Sequence, residues 1–165
     1  MSENLNLTDL SEMEGKYLTF LMGKQTMGIS IAYVMQIVSM QPATPIPEAP
    51  AYCKGIINLR GNIIPLIDFN IRLNQAETEY TERTCIIICN VGGSDFGFIV
   101  DEVDAVIDIA DDMISAPPKM NDYASESYLI GVARVKTAAA EKLVLLIDSA
   151  RILGEQEITM LTSYT

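Results

Sequence analysis

Short apolar runs predict strands along most of this chain. The segments 17–22 and 27–31 are apolar and flank Gly23-Lys24-Gln25, a pattern typical of a β-hairpin. The apolar positions of 31–38 fit a helix or a strand, and we expect one helical turn that passes into a strand around 36–40. Prolines 42, 45, 47 and 50 then exclude a long helix or a central strand, which predicts an irregular connection.

A second predicted hairpin contains the most informative turn. Two apolar runs, 55–59 and 63–68, flank Arg60-Gly61-Asn62. Gly61 and Asn62 tolerate positive φ, so we expect a tight turn that places Arg60 at the edge of the sheet. Two interpretations of Arg60 remain open: a solvated turn residue, or a recognition residue whose planar guanidinium binds a carboxylate or backbone carbonyls of a partner.

The second half of the chain is also rich in predicted strands. Residues 84–91 and 96–100 flank the turn Gly92-Gly93-Ser94, and the return strand continues into an acidic and apolar segment up to Asp108. We expect further strands over 128–135 and 143–147. Residues 75–83 are polar and predict a loop. Asp148 or Ser149 can cap a short helix, and residues 155–163 form a second one.

The two halves resemble each other, and each offers about five short strands. Gly28-Ile29-Ser30-Ile31 and Gly97-Phe98-Ile99-Val100 each close a hairpin. Sheets this small usually curl into barrels. We therefore expect an all-β fold of two small β-barrels packed together, with short helices and a C-terminal helix. The predicted organisation is a flexible acidic tail (1–14), one domain (15–155) with lobes of roughly 15–80 and 81–148, and a C-terminal helix or tail (156–165).

Composition and charge exclude several classes of function. The 165 residues include 22 acidic and 11 basic side chains, a formal net charge of −11. Such a surface repels nucleic-acid phosphates and anionic lipids. The absence of histidine removes His-based nucleophile pairs and His-ligated zinc. The apolar runs are too short for a membrane span and there is no secretory signal, so we expect a cytosolic protein without nucleic-acid partners or direct membrane insertion.

Other candidate chemistry has simpler explanations. Cys85 and Cys89 lie on one predicted strand, roughly 13 Å apart and too far for a disulfide, so with Cys53 we expect three reduced, buried thiols. The segment 92–97 lacks the Lys-Ser/Thr of a phosphate loop. The acids of 101–112 lack EF-hand spacing and predict a strand with a solvated acidic face. We expect no catalysis, metal or cofactor, although a ligand sensor or enzyme built on the same fold is a further hypothesis.

Residues 55–69, with the sequence GIINLRGNIIPLIDF, resemble the signature of the CheW family of chemotaxis coupling proteins, a G-x-x-N-L-R-G run followed by an apolar strand, a proline and an aspartate. Three other segments are similar to family motifs: 28–37 to G-I-x-I-x-x-V-x-E-I, 46–50 to I-P-x-x-P, and 97–103 to G-x-x-V-D-x-V. The resemblance extends from about residue 15 to 155.

The resemblance implies a non-catalytic adaptor built from two SH3-like barrels. It would couple the cytoplasmic tips of methyl-accepting chemoreceptors to the regulatory domain of a CheA-type histidine kinase, and would be recruited from the cytoplasm to membrane receptor arrays by these partners. An adaptor of another array, such as one controlling type IV pilus twitching, is the alternative. By matching positions, the partner-binding residues are Asn58, Leu59, Arg60 and Gly61 on the hairpin and Val34, Gln36, Cys85, Val103 and Val106 in an apolar groove.

One position departs from the family pattern. Gln36 stands where the family commonly has glutamate. A glutamine can accept a hydrogen bond from Arg60 but cannot neutralise its charge, a loss of about 1 kcal/mol for an exposed pair. We therefore predict that another acid, Asp68, is the counter-ion of Arg60.

Overall fold

A computed structural model of the chain describes residues 15–116 and 128–165. Its strands are β1 Lys16–Met22, β2 Gln25–Ser30, β3 Val34–Ser39, β4 Cys53–Leu59, β5 Asn62–Asp68, β6 Cys85–Val91, β7 Ser94–Val100, β8 Glu102–Asp108, β9 Ile114–Ser115, β10 Leu129–Lys136 and β11 Glu141–Ile147. Two α-helices, α1 Phe69–Arg72 and α2 Glu155–Thr162, and 3-10 turns at Ile31–Tyr33, Asp111–Met113 and Ser149–Arg151 complete it. The predicted acidic tail, residues 1–14, lies outside the described residues.

The strands form two curled sheets, which confirms the predicted all-β class. Sheet A has the order β8-β1-β2-β11-β10-β9, and sheet B has the order β3-β6-β7-β5-β4. In sheet B, the segment after β3 returns to the opposite edge, where Thr44 and Ile56 exchange backbone hydrogen bonds of 2.8 and 2.9 Å. In sheet A, the segment after β8 likewise returns to pair with β10 through β9. These short segments bring the chain from one edge of each sheet to the other, while β3 and β8 each pair with a strand on one side only.

The described residues form three apolar cores, and one of them joins the two barrels. A small core inside sheet A includes Val144 and Leu146, and another inside sheet B includes Ile86 and Ile88. The largest core lies between the sheets and combines side chains of both, including Phe20, Met27, Ile87, Phe69 and Phe98. Because this inter-sheet core is the largest of the three, the barrels pack as one body.

The continuous apolar run of β6 follows from these cores. Ile86 and Ile88 face the interior of barrel B, whereas Ile87 and Cys89 face the inter-sheet core. A strand that is buried on both faces has no polar position to alternate with. The neighbouring strand β7 behaves in the same way, with Ile99 inside the barrel and Phe98 between the sheets.

The sheets do not follow the predicted division into lobes at residue 80. Strands β1 and β2 belong to sheet A, where β1 pairs with β8 and β2 pairs in parallel with β11. Strands β6 and β7 belong to sheet B, where β7 pairs in parallel with β5. Each half of the chain therefore contributes a hairpin to one sheet and its remaining strands to the other. The physical reason is that the β1–β2 and β6–β7 hairpins lie in the middle of their sheets, where each hairpin needs a partner strand on both sides.

An internal repeat underlies this exchange. Gly28 of β2 pairs with Leu146, and Gly97 of β7 pairs with Leu66. At each glycine a Cβ atom would collide with that same leucine, at 3.0 Å for Gly28 and 2.6 Å for Gly97. The resemblance between the halves that the sequence indicates therefore reflects similar packing, because a glycine at each position leaves room for the leucine of the parallel neighbour.

Local boundaries differ from the sequence prediction in two places. The helical turn is the 3-10 turn Ile31–Tyr33, and the strand starts at once with Val34 instead of near Gln36. The expected continuous strand after Phe96 breaks at Asp101, where the chain passes from sheet B to sheet A. Asp101 fixes this crossing by accepting hydrogen bonds from Gly23 N (2.7 Å) and Asn70 Nδ2 (3.0 Å).

Helix α2 is held against the inter-sheet core. Leu161 is fully buried in that core. The Glu157 carboxylate accepts hydrogen bonds from Tyr52 Oη, Arg72 Nη2 (3.2 Å) and the Gly154 backbone N–H (2.9 Å). The Arg72 guanidinium also lies 5.5 Å from the centre of the Tyr52 ring. These contacts join the C-terminal helix to Tyr52, which directly precedes β4, and to α1.

Candidate functional site

Arg60 lies at the tip of the β4–β5 hairpin. Leu59 pairs with Asn62, so the two loop residues are Arg60 and Gly61. Both have positive φ, 56° and 88°. This combination is typical of the two-residue hairpin turn whose twist matches that of the flanking strands. The turn therefore lies one residue earlier than the predicted Gly61-Asn62 pair.

The hairpin tip is stabilised from within. The Asn58 side-chain Oδ1 accepts a 2.9 Å hydrogen bond from the Gly61 backbone N–H. Asn58, Arg60 and Gly61 are exposed and Leu59 is half-buried. Among the described residues, no carboxylate forms an ion pair with the Arg60 guanidinium. The charge is therefore displayed to solvent on a rigid turn.

Asp68 is not the counter-ion of Arg60, contrary to the prediction. It ends the strand that Asn62 begins, about 20 Å further along. Its carboxylate is buried, accepts a 3.2 Å hydrogen bond from the Ile71 N–H as the cap of α1, and accepts a 2.6 Å hydrogen bond from Tyr80 Oη. Burial, and then the hydrogen bond to Asp68, raise the pKa of Tyr80. The hydrogen bond from Tyr80 to Asp68 therefore holds the loop 75–83 against the end of β5.

Two of the predicted groove residues, Val34 and Cys85, lie on sheet B beside the inter-sheet core. Val34 pairs with Cys89 and packs against that core, as does Cys85. Ile37 pairs with Ile87, a buried member of the same core, yet its own side chain is 41% exposed. One face of β3 is thus apolar and half open to solvent.

Strand β8 repeats this arrangement on sheet A. Val103 pairs with Phe20 and packs against the inter-sheet core, and Val106 pairs with Leu18 of that core while remaining 50% exposed. The pairs Val34/Ile37 and Val103/Val106 have the same spacing, and a β-bulge follows the first residue of each pair. We call Val34, Ile37, Cys85, Val103 and Val106 the seam.

Gln36 is not part of the seam. It pairs with Ile88, and its neighbour on the same face, Val38, packs against the core inside barrel B. The bulge between Val34 and Gln36 is the physical reason, because it shifts which residues share a face. The sequence prediction missed Ile37 for the same reason, although its place in the motif 28–37 was available as a signal.

The thiols differ in accessibility. Cys53 and Cys89 are buried, whereas Cys85 is only half-buried, a difference from the three buried thiols expected. Burial, with a smaller contribution from the Asp95 charge, raises the pKa of the Cys89 thiol to about 12. Burial also raises the pKa of Cys53. These two thiols therefore act as apolar core groups.

A shallow cavity of about 330 Å³ adjoins the Arg60 hairpin. Its walls come from the β4–β5 turn and the start of β5, the start of β7, and the C-terminal end of α2 with the residues that follow it. The lining residues are Gly61, Asn62, Ile63, Ile64, Pro65, Ser94, Asp95, Thr162 and Thr165. The surface beside the exposed arginine is therefore concave and mixed in polarity.

Comparisons with known proteins agree on one family. The family model described as the CheW-like domain matches residues 16–157. Chemotaxis protein CheW of Klebsiella aerogenes is 30% identical over 159 residues, 93% of this chain and 93% of the relative. Chemotaxis protein CheW of Rhizobium meliloti is 31% identical over 140 residues, 85% of this chain and 88% of the relative.

A solved structure shares the fold. The crystal structure of the scaffolding protein TtCheW from Thermoanaerobacter tengcongensis superposes with a TM-score of 0.76 at 30% identity, covering 87% of this chain and 90% of that one. Within the described residues, no helix has the length and apolar character needed to cross a membrane. The matched segment includes both barrels, the Arg60 hairpin and the seam, and this chain belongs to the CheW-like family.

Proposed function

We propose that this protein is a non-catalytic chemotaxis adaptor that couples the cytoplasmic tips of chemoreceptors to the regulatory domain of a CheA-type histidine kinase. Its family relatives include chemotaxis proteins and a scaffolding protein, which supports the adaptor role. The adaptor works in the cytoplasm and joins membrane receptor arrays through its partners.

The conformation of Arg60 is the observation that carries this proposal. A residue with a side chain in the left-handed region costs roughly 1 kcal/mol, and glycine would avoid this cost. Arg60 nevertheless occupies that position, exposed and without an ion pair to any described residue. A strained, solvent-facing guanidinium on a rigid hairpin is suited to bidentate binding of a partner's carboxylate.

The seam supplies the second part of the interface. A receptor tip is a helical hairpin with a few apolar side chains, and Ile37 and Val106 offer half-exposed apolar surface to such a helix. Burial of apolar surface contributes roughly 25 cal/mol per Å² before the costs of association. A surface of this modest size favours reversible binding, which suits an adaptor.

Calorimetric titration of the purified protein with a receptor signalling fragment and with the kinase regulatory domain tests the proposal. Both partners should bind the wild type. Arg60→Ala keeps the Cβ atom and the positive φ of the turn, so the melting temperature should stay within about 1 °C. The affinity for at least one partner should fall about tenfold or more, because the charged hydrogen bonds are lost.

Arg83→Ala is the matched control. Arg83 is an exposed arginine in the loop 75–83 and forms no ion pair with a described residue. Its removal should leave both affinities within about twofold of the wild type. Equal losses from both variants would mean that general charge, and not the hairpin, governs binding. Failure of the wild type to bind either partner would contradict the proposed function itself.

A further inference from the structure

Sheet B contains two hairpins that end in the same kind of two-residue turn. In the β4–β5 hairpin the turn residues are Arg60 and Gly61, with φ of 56° and 88°. In the β6–β7 hairpin the turn residues are Gly92 and Gly93, with φ of 62° and 87°. The φ angles agree closely, so the β6–β7 hairpin shows the same turn formed by two glycines.

An asparagine occupies the same place before each turn. Asn58 and Asn90 each lie two residues before the first turn residue. The Asn90 side chain donates a 3.1 Å hydrogen bond from Nδ2 to Oδ1 of Asp95, its cross-strand neighbour. The Asn58 side chain instead accepts, at Oδ1, a 2.9 Å hydrogen bond from the Gly61 backbone N–H. The asparagine therefore bonds to the turn backbone in the hairpin that carries Arg60, and across the strands in the other.

The two turns differ in what they need from this asparagine. Glycine enters the left-handed region without steric cost, whereas a residue with a Cβ atom is strained there. The strain at Arg60 weakens its turn relative to other conformations of the loop. The Gly61 N–H lies outside the strand ladder, which ends at the Leu59–Asn62 pair. The hydrogen bond from this N–H to Asn58 stabilises the conformation that the strain at Arg60 opposes.

We propose that Asn58 is a positioning residue for Arg60 and not a contact residue for the partner. The peptide that joins Arg60 to Gly61 is planar, so the hydrogen bond that holds the Gly61 N–H also fixes the orientation of this peptide. Asn58 thereby holds the backbone from which the Arg60 guanidinium projects. This role rests on the proposed adaptor function, in which that guanidinium binds a partner's carboxylate.

Loss of the Asn58 hydrogen bond should weaken partner binding without loss of any contact to the partner. The turn would then sample other conformations, and part of the binding free energy would be used to restore the bound one. The net contribution of one hydrogen bond corresponds to roughly a two- to tenfold change in an equilibrium constant. Asn58→Ala should lower the affinity of the partner that Arg60 binds by about this factor.

Hydrogen exchange of the Gly61 amide, measured by NMR on the free full chain, tests the bond without a partner. In Asn58→Ala the Gly61 exchange rate should rise about threefold or more, because the acceptor is lost. Asn58→Asp keeps an acceptor oxygen and should stay within about twofold of the wild type. Asn90→Ala is the matched control and should leave the Gly61 rate unchanged. Melting temperatures establish that each variant is folded.

A double-mutant cycle separates positioning from contact. Calorimetry is carried out with the partner whose binding Arg60→Ala weakens. Asn58→Ala should weaken binding in the wild type but should have no further effect in the Arg60→Ala background, because no guanidinium is left to orient. A direct contact of Asn58 with the partner would instead make the two losses multiply, and that outcome would overturn the proposal. Unchanged affinity in Asn58→Ala would overturn it as well.

The positioning role and the adaptor function fail in different ways. A Gly61 exchange rate that is the same in Asn58→Ala and in the wild type removes the positioning role, even if both partners bind. A wild type that binds neither partner contradicts the adaptor function, while hydrogen exchange still decides whether Asn58 holds the turn.

Discussion

Arg60 adopts a backbone conformation that costs stability and leaves its side chain exposed to solvent. Its φ of 56° belongs to the region that glycine, asparagine and aspartate enter most readily. The neighbouring Gly61, at 88°, has open space around the position where a Cβ would lie. The Arg60 side chain is exposed, and its guanidinium forms no ion pair with a described residue. The side chain is the part of this turn that is free to serve a partner.

Replacement of Arg60 by glycine should therefore stabilise the free protein. Arg60→Gly removes the Cβ strain and should raise the free energy of unfolding by about 0.5–1 kcal/mol, measured by urea denaturation. Arg60→Ala retains the Cβ and should leave the unfolding free energy nearly unchanged. If glycine lowers stability instead, the turn is not strained at Arg60, and the argument from its conformation fails.

Single residues also mark the limit of prediction from the sequence. The hairpin and its exposed Arg60 could be predicted because glycine and asparagine follow directly. The roles of Gln36 and Asp68 could not be predicted in the same way. A β-bulge turns Gln36 toward the barrel interior, and Tyr80 and the start of α1 engage Asp68. Both outcomes depend on residues that the local pattern does not bring together.

At the scale of elements, two equivalent edge strands have opposite character. Strand β3 has no charged residue, whereas β8 has Glu102, Asp104 and Asp108. Lys16 binds Asp108 at 2.8 Å, and Lys142 lies 3.5 Å from Asp104. Charges protect an edge strand from unwanted pairing. The uncharged β3 is thus the edge strand that is more open to a partner. The two strands occupy equivalent positions in their sheets but differ in surface charge.

Helix α2 depends on Glu157 for its attachment. Burial of the carboxylate acts to raise its pKa, but the hydrogen bonds from Gly154 and Tyr52 and the charge of Arg72 outweigh it and hold the pKa below the ordinary value of 4.5. A carboxylate with a lowered folded-state pKa stabilises the fold above its unfolded pKa. That contribution is lost as the pH falls through the folded-state pKa.

Glu157→Gln should therefore destabilise the protein by about 1 kcal/mol at pH 7, through weaker hydrogen bonds to Tyr52 and Arg72. The difference from the wild type should stay constant above about pH 5.5 and shrink as the pH falls below 4.5, the ordinary value for a glutamate. Chemical denaturation at a series of pH values measures it.

Glu155→Gln is the control for this experiment. Glu155 lies in the same first turn of α2, where any carboxylate gains from the helix dipole, but it is exposed and outside the Tyr52–Arg72 cluster. Its removal should cost only a few tenths of a kcal/mol. A loss as large as that of Glu157→Gln would assign the effect to the dipole and not to the anchoring contacts.

At the scale of the whole molecule, strand number was predictable and strand assignment was not. Apolar runs and turn residues identified the hairpins and the barrel class. The membership of each sheet depends on pairings between distant residues, such as Lys16 with Asp108. The same apolar pattern is compatible with two sequential lobes. The alternation of apolar and polar residues indicates which face of a strand is buried, but it does not identify the neighbouring strand in the sheet.

The exchange of hairpins predicts how the chain responds to a cut between its halves. Residues 74–83 are exposed, so a protease site inserted between Gln75 and Ala76 should be cleaved in the native protein. The two fragments should stay associated on size exclusion and unfold in one transition, because β1 and β2 lie between β8 and β11 of the other fragment. The uncleaved protein is the control. Fragments that separate without denaturant, each retaining folded strands, would show that two sequential lobes fold independently.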